Sequence, residues 1–422
     1  MRRTARPIAL TAVLASSALA LAACGGGSGF EDEEPAGTES AAPADAGGPL
    51  SILIGASGDA ERDAVTEAVA AWSQESGVEA SVQVASDLNQ ELSQGFAAGS
   101  PPDVFYTSTD QLAGYTANGA LFPYGDQLSN VDDFYPSLRE NFTIDGQLMC
   151  APKDFSTLGL VINTDAWETA GLTDADVPTT WEELADVAAT LTTGDQVGLS
   201  FGPEYQRLGV FMAQAGGGLV SDDGTTAIAE SPENVEALEF VQQMLADGVL
   251  AFPSEIDSGW GGEAFGSGRA AMTIEGNWVV GALQNDFPDV SYLVAQLPEG
   301  PAGPGTLQFT NCWGIAADSE SQTSAMDLVE FLTSTDQQIA FAQGFGVMPS
   351  VASAQEQFTA DFPEQEAFVL GAEYAGGMPT QQGASDVIGD FNGQIEGLES
   401  ADVEAMLASV QTNMQAVLDE QG

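Results

Sequence analysis

Short apolar runs alternate along the chain with stretches whose apolar residues return every three or four positions. Leu50 to Ala56 is a compact apolar run and reads as a strand. Val65, Ala68, Val69 and Trp72 then recur at helical spacing as far as Gly77, a residue suited to closing a helix. Val78, Ala80, Val82 and Val84 alternate as a second strand, and a helix through Leu88, Leu92 and Phe96 stops at Gly99. Asp103 to Thr107 makes a third strand. Strand, helix, strand, helix, strand in this order predicts parallel strands with helices on both faces. Such sheets bind ligands at the carboxyl ends of their strands, which points to the loop from Tyr106 to Asp110.

A second unit follows from about Ser156. Thr180 and Glu183 have the spacing of a capping box, ahead of a helix with Leu184, Val187, Ala188 and Leu191 on its inner face. Ser231-Pro232 opens another helix, with proline at the first helical position. Gly198 to Phe201 and Ala270 to Ile274 read as strands, and Glu404 to Leu418 as an amphipathic helix. No internal repeat is visible.

The beginning of the chain follows different rules. Arg2, Arg3 and Arg6 precede an apolar stretch from Ile8 to Ala20 that carries no acid. A bilayer span takes about 20 apolar residues, so this shorter stretch reads as the core of a secretory signal. Leu21-Ala22-Ala23-Cys24 resembles a lipobox. That resemblance implies removal of residues 1–23 and lipidation of Cys24 by palmitate-type chains, which would anchor the protein at the extracellular face of the cell membrane. An ordinary small-residue cleavage site beside a chance cysteine is the alternative. Residues 24–49 hold mostly Gly, Pro, Ala and acids and form a disordered tether.

The chain has 422 residues, room for two or three compact lobes. It carries 63 acids against eight Lys and Arg, and three of those eight lie in the signal. Arg62, Arg139, Lys153, Arg207 and Arg269 remain. Nucleic acid is excluded as a general partner, because its phosphates need Lys and Arg. The acidic surface keeps the protein soluble, and membrane contact falls to the lipid alone. With no histidine, Ser-His-Asp and Cys-His catalysis and most zinc and copper sites are excluded, and no metal or cofactor is expected. Cys150 and Cys312 form an even pair that an extracellular setting favours as a disulfide, with two buried thiols as the alternative.

Several segments in order carry a family resemblance from Leu50 to the end of the chain. Pro102-Asp103-Val104-Phe105 is followed by Asp110, Gly114-Tyr115 and Gly119. Ala151-Pro152-Lys153-Asp154-Phe155 runs into an apolar strand ending at Asn163, and Pro178 precedes Trp181-Glu182-Glu183-Leu184. Gly268 to Trp278 reads GRAAMTIEGNW, and Thr310-Asn311-Cys312-Trp313-Gly314-Ile315 and Gly377-Met378-Pro379 come later. Together they resemble the extracellular solute-binding proteins of carbohydrate ABC importers, relatives of maltose-binding proteins.

The resemblance implies an α/β, two-lobed Venus-flytrap fold with discontinuous lobes and a hinge of several crossings. Residues 50–152 and 313–376 would form the N-terminal lobe, and 153–312 and 377–422 the C-terminal lobe. It also places Cys150 and Cys312 on adjacent crossing strands. Trp278 stands where the family stacks a sugar ring, and Trp260 and Trp313 are further aromatic candidates. Tyr106, Asp110, Lys153, Asp154, Phe155, Glu204 and Tyr205 complete the expected ligand-binding set, while Trp181 is read as packing. Thr107 and Ile388 stand where the maltose type carries tryptophans, so a long malto-oligosaccharide is not implied.

The expected function is capture of a mono- or oligosaccharide, as a monomer, for delivery to the permease of an ABC importer, without catalysis. Pyranose faces pack on aromatic planes while their hydroxyls need convergent polar groups. Three rivals stay open. One is the same fold binding a cation such as a polyamine, another is a glycosidase using two carboxylates, and the third is a passive acidic surface protein.

Overall fold

Strands and helices alternate from Leu50 as the apolar pattern predicts. The computed structural model describes residues 48–420 except Ser57 and Asp222, together with the backbone but not the side chain of Asp110. The signal, Cys24 and the tether up to residue 47 lie outside the described residues. Twelve strands are described: β1 Leu50–Ile54, β2 Ala80–Val84, β3 Val104–Ser108, β4 Thr143–Ile144, β5 Gln147–Leu148, β6 Ala151–Asn163, β7 Val197–Ser200, β8 Leu250–Ala251, β9 Ala270–Gly276, β10 Tyr292–Ala295, β11 Thr306–Ile315 and β12 Ala375–Gly376.

The helix Asp59–Ser76 ends at Gly77 (φ 76°), whose N–H donates to the Ser73 carbonyl. The helix Leu88–Ala98 ends in the same way at Gly99 (φ 66°). A side chain with a Cβ is strained in that region, so glycine sets both stops. Ser231 caps the helix Pro232–Ala246 through the Asn234 N–H. Thr180 accepts from the Glu183 N–H as expected, but Glu183 itself reaches Thr179, bonding its N–H and hydroxyl at 2.8 and 2.7 Å. The capping box therefore closes one residue early. Trp181 is packing, stacked on Phe240 with centroids 4.7 Å apart.

The large sheet runs β2-β1-β3-β11-β6-β9-β7-β8, with β10 beside β6 and β12 beside β11. β1, β2 and β3 are parallel at one end, and β7, β8 and β9 are parallel at the other. Two long strands connect the ends. β6 pairs with β11 through its first half and with β9 through its second, while β11 pairs on its other edge with β3. All but the last of the 13 residues of β6 are buried, as befits a central strand covered on both faces.

Two apolar cores flank these crossings. The first holds Ile52, Val65, Trp72, Phe105, Leu328 and Phe341, and the second holds Leu160, Phe201, Phe211, Val241, Phe391 and Leu407. Phe265 and Val279, Val280 and Leu283 join the first core, although they fall inside the 153–312 stretch. The disulfide between Cys150 and Cys312 is formed, with Cα atoms 5.7 Å apart. It ties the start of β6 to β11 and settles the question of free thiols.

Candidate functional site

The helix Tyr205–Ala215 leaves the end of β7 through Gly202-Pro203-Glu204, and its first turn carries Arg207. Across from it, β9 ends in Glu275-Gly276, and the helix Trp278–Asp286 begins at once. Asn277 fixes this junction, because its N–H donates to Ser156 Oγ and its Nδ2 to the Gly346 carbonyl. Trp278 is thereby held at the crossing strands with 39% of its surface exposed, one of two large apolar side chains so exposed among the described residues.

Gly276 makes this pose possible. A Cβ there would stand 2.2 Å from Trp278 Cζ3, so the indole lies directly on the glycine backbone. The ring meets Phe309 edge-on at 5.4 Å, and its Nε1 donates to Glu275 Oε2 at 3.0 Å. Arg207 completes the cluster. Its Nη2 lies 2.5 Å from Glu275 Oε2, its Nη1 2.7 Å from Glu204 Oε1, and its Cζ 5.6 Å from the indole centre. Burial pushes the Glu275 carboxyl up from its ordinary value, and Arg207 and the indole N–H pull it back only in part.

A cavity of about 540 Å³ opens over this cluster, lined by Trp278, Phe309, Met378, Pro379 and Ile388 among apolar groups and by Thr109, Glu204, Gln206, Arg207, Ser385 and Asn392 among polar ones. Arg207 Nε and Gln206 Oε1 are buried there without a partner among the described residues. A neighbouring cavity of about 460 Å³ shares Glu204 and Arg207 and adds Trp260, Glu255, Glu275 and Glu396. Apolar planes beside an unused donor and an unused acceptor suit a ligand with both C–H faces and hydroxyls.

The expected site residues separate into two groups. Glu204 lines both cavities, Trp278 the larger and Trp260 the smaller. Tyr205 is buried and lines another cavity beside Leu307 and Met378, its N–H donating to Asn392 Oδ1. Asp110 sits in the first turn of the helix Thr109–Ala117, its side chain outside the described residues. The remaining five are buried, Tyr106, Phe155 and Trp313 in the first core and Lys153 and Asp154 as a charged pair beside Tyr106. Phe155 packs on Tyr135, and Trp313 is fully buried, edge-on to Tyr106 at 4.7 Å.

Lys153 lies 4.5 Å from the centre of the Tyr106 ring and bonds Glu61 Oε1 at 3.0 Å and the Asp154 carboxylate. Burial opposes the Lys153 charge, yet Asp154, Tyr106 and Glu61 hold the ammonium above its ordinary value. Burial also raises Asp154, against the pull of Lys153. These charges are committed to one another.

Arg207, Glu275, Gln206 and Gly276 were not singled out from the sequence. With five cations among the described residues, Arg207 should have drawn attention, since it stands at a helix start between Gln206 and Leu208.

Comparison with known proteins now adds a family. The model of bacterial extracellular solute-binding proteins matches residues 67–369. A binding protein of Brucella abortus is 25% identical over 278 residues, covering 62% of this chain and 66% of its own length, so the match spans just under two thirds of that relative. The sn-glycerol-3-phosphate-binding periplasmic protein UgpB of Salmonella typhimurium is 28% identical over 297 residues, 64% of this chain and 67% of that protein. Among solved structures, the cyclic alpha-maltosyl-1,6-maltose binding protein from Arthrobacter globiformis superposes with a TM-score of 0.79 at 22% identity, covering 88% of this chain and all of that one. The fold is the two-lobed α/β architecture shared by such proteins.

Proposed function

This chain belongs to the bacterial extracellular solute-binding proteins, and from that premise we propose that it captures a neutral mono- or oligosaccharide in the cavity faced by Trp278. The carrying observation is the exposed indole, seated on Gly276 beside an unspent donor on Arg207 and an unspent acceptor on Gln206. One sugar ring would stack on Trp278, with Phe309 at its edge, while hydroxyls engage Arg207, Gln206, Glu204 and Asn392. Trp260 would serve a second ring in the adjoining cavity.

Residues 50–152 with 313–376, and 153–312 with 377–422, would act as lobes closing about β6, β11 and the Gly377-Met378-Pro379 segment. Ligand would favour the closed form, which is the form presented to an ABC importer permease. Lipidation at Cys24 would hold the monomer within reach of that permease. The family is one of binding proteins, and Glu204 and Glu275 are both engaged by Arg207, which favours binding over glycoside hydrolysis.

Calorimetry with glucose, maltose and maltotriose tests the reading. Heat with at least one is expected, and Trp278→Ala should weaken binding by roughly 30-fold, about 2 kcal/mol for a buried aromatic anchor. Heat with spermidine and with no sugar would transfer the site to the cationic-solute reading. A subtler change checks the indole's seat. Gly276→Ala should push the ring off its platform and lower sugar affinity about tenfold, and a melting curve of the variant separates that loss from unfolding. Unchanged affinity in that variant would remove the platform from the account.

A further inference from the structure

The cations among the described residues are few enough to account for one by one. Arg62, Arg139 and Arg269 stand at the surface, paired with Asp59, Asp132 and Asp257. Lys153 is buried with Glu61 and Asp154. Among the described residues, Arg207 is therefore the one cation lining the two adjoining cavities. An anionic ligand entering there would depend on it.

That guanidinium is already answered. Its two terminal nitrogens hold Glu204 and Glu275 at 2.7 and 2.5 Å, and Glu255 and Glu396 line the same smaller cavity. We propose that Glu204 and Glu275 mask Arg207, so that the site selects uncharged, hydroxyl-bearing solutes and turns away phosphorylated ones. The proposal rests on the saccharide reading above and specifies its ligand class. A phosphate monoester carries about −1.5 to −2 charges at neutral pH, and its ionised oxygens only accept hydrogen bonds. It would meet two carboxylates in place of a free arginine fork, the group that receives phosphates in two-pronged fashion. A hydroxyl both donates and accepts. It matches Arg207 Nε–H and Gln206 Oε1, two buried atoms without a partner among the described residues, on side chains that line the larger cavity.

The mask has a buried half and an accessible half. Glu275 is 1% exposed and also accepts the Trp278 N–H, so it fixes the geometry. Glu204 has a side chain 40% exposed and stands at the rim. Glutamine at either position keeps an acceptor for Arg207 and removes one negative charge.

The test compares the full-length chain with Glu204→Gln and Glu275→Gln by calorimetry at low ionic strength. The anionic probe is sn-glycerol 3-phosphate, and the neutral probes are glucose, maltose and maltotriose. Wild type should give no measurable phosphate heat, and each variant should bind the phosphate at least roughly tenfold more tightly than wild type. Adding Arg207→Met to Glu204→Gln should abolish that gain. Wild type binding the phosphate as tightly as the variants would overturn the proposal. So would a Glu204→Gln variant with wild-type melting behaviour and no gain, or a gain that survives Arg207→Met. Glu204 is half-exposed, so its variant folds independently of the outcome at Glu275. Absence of sugar heat in wild type would instead defeat the saccharide reading, leaving the mask to stand or fall on the phosphate measurements.

Discussion

Lys153→Ala is expected to destabilise the protein by about 3–5 kcal/mol, the scale for removing one member of a buried ion pair. The side chains of Lys153 and Glu61 are each 6% exposed and that of Asp154 is 12% exposed, so the two carboxylates would be left in the interior without a counter-charge. A urea midpoint shift at pH 7 measures the loss. Its pH dependence carries the diagnostic sign. Burial already raises Asp154 in the intact protein, and Lys153 is the chief influence pulling it down. In the variant that pull is gone, so the folded state binds more protons than the unfolded state in the carboxylate range. Stability of the variant must then rise as pH falls from 7 toward about 4.5, regaining part of the deficit. A loss below 1 kcal/mol, or a deficit that grows on acidification, would mean that the trio is effectively hydrated.

The same trio shows what the sequence could and could not convey. Lys153-Asp154-Phe155 was legible as a crossing strand, because the apolar run through Asn163 and the later Thr310 to Ile315 segment have the right order. The roles of its polar residues were not. In the pairing of β6 with β11, Asn311 lies opposite Asp154 and Cys312 opposite Pro152, so Lys153 is the extra residue of a bulge. That bend lets chain neighbours, which a regular strand would send to opposite faces, bond one another. No local pattern announces a bulge, and both residues were read as ligand contacts.

Trp313 shows the same limit. Its chemistry marks an aromatic platform, but its depth along β11 sets it opposite Tyr106, inside the first core. Trp278 was singled out because Gly268 to Trp278 resembles the family's sugar-stacking segment, and its indole lies 39% exposed on a cavity wall. The Arg207–Glu275 pair joins residues 68 apart in sequence and depends on how β9 and the helix Tyr205–Ala215 meet. Helix stops at Gly77 and Gly99 were readable because a backbone conformation dictates the residue. Pairings across the sheet are dictated by tertiary packing and leave no such mark.

Replacing both Cys150 and Cys312 by alanine is the second change of large expected effect. The bond closes a sequence separation of 162 residues, and chain-entropy reasoning assigns a loop of that size about 5 kcal/mol, with losses of roughly 2–5 kcal/mol typical when a native disulfide is removed. Both residues are fully buried, so the packing lost with two sulfurs adds to that figure. Urea unfolding of the double variant, set beside wild type with and without reductant, gives the number. A shift within 1 kcal/mol would mean that the unfolded chain is already constrained by other contacts.

Affinity should respond differently from stability. The bond welds β6 to β11 at the first-core end, whereas Ser156 and Phe309 pair farther along the same strands, where Ser156 accepts from the Asn277 N–H and Phe309 meets Trp278. On the proposed hinge, rotation of one lobe on the other would take place beyond the weld, in the stretches 153–163 and 306–311 and at Gly377-Met378-Pro379. Sugar affinity of the folded double variant should stay within about threefold of wild type, because sites without shared contacts act almost independently. A tenfold loss would place the pivot at the disulfide itself and make the bond part of the closing device.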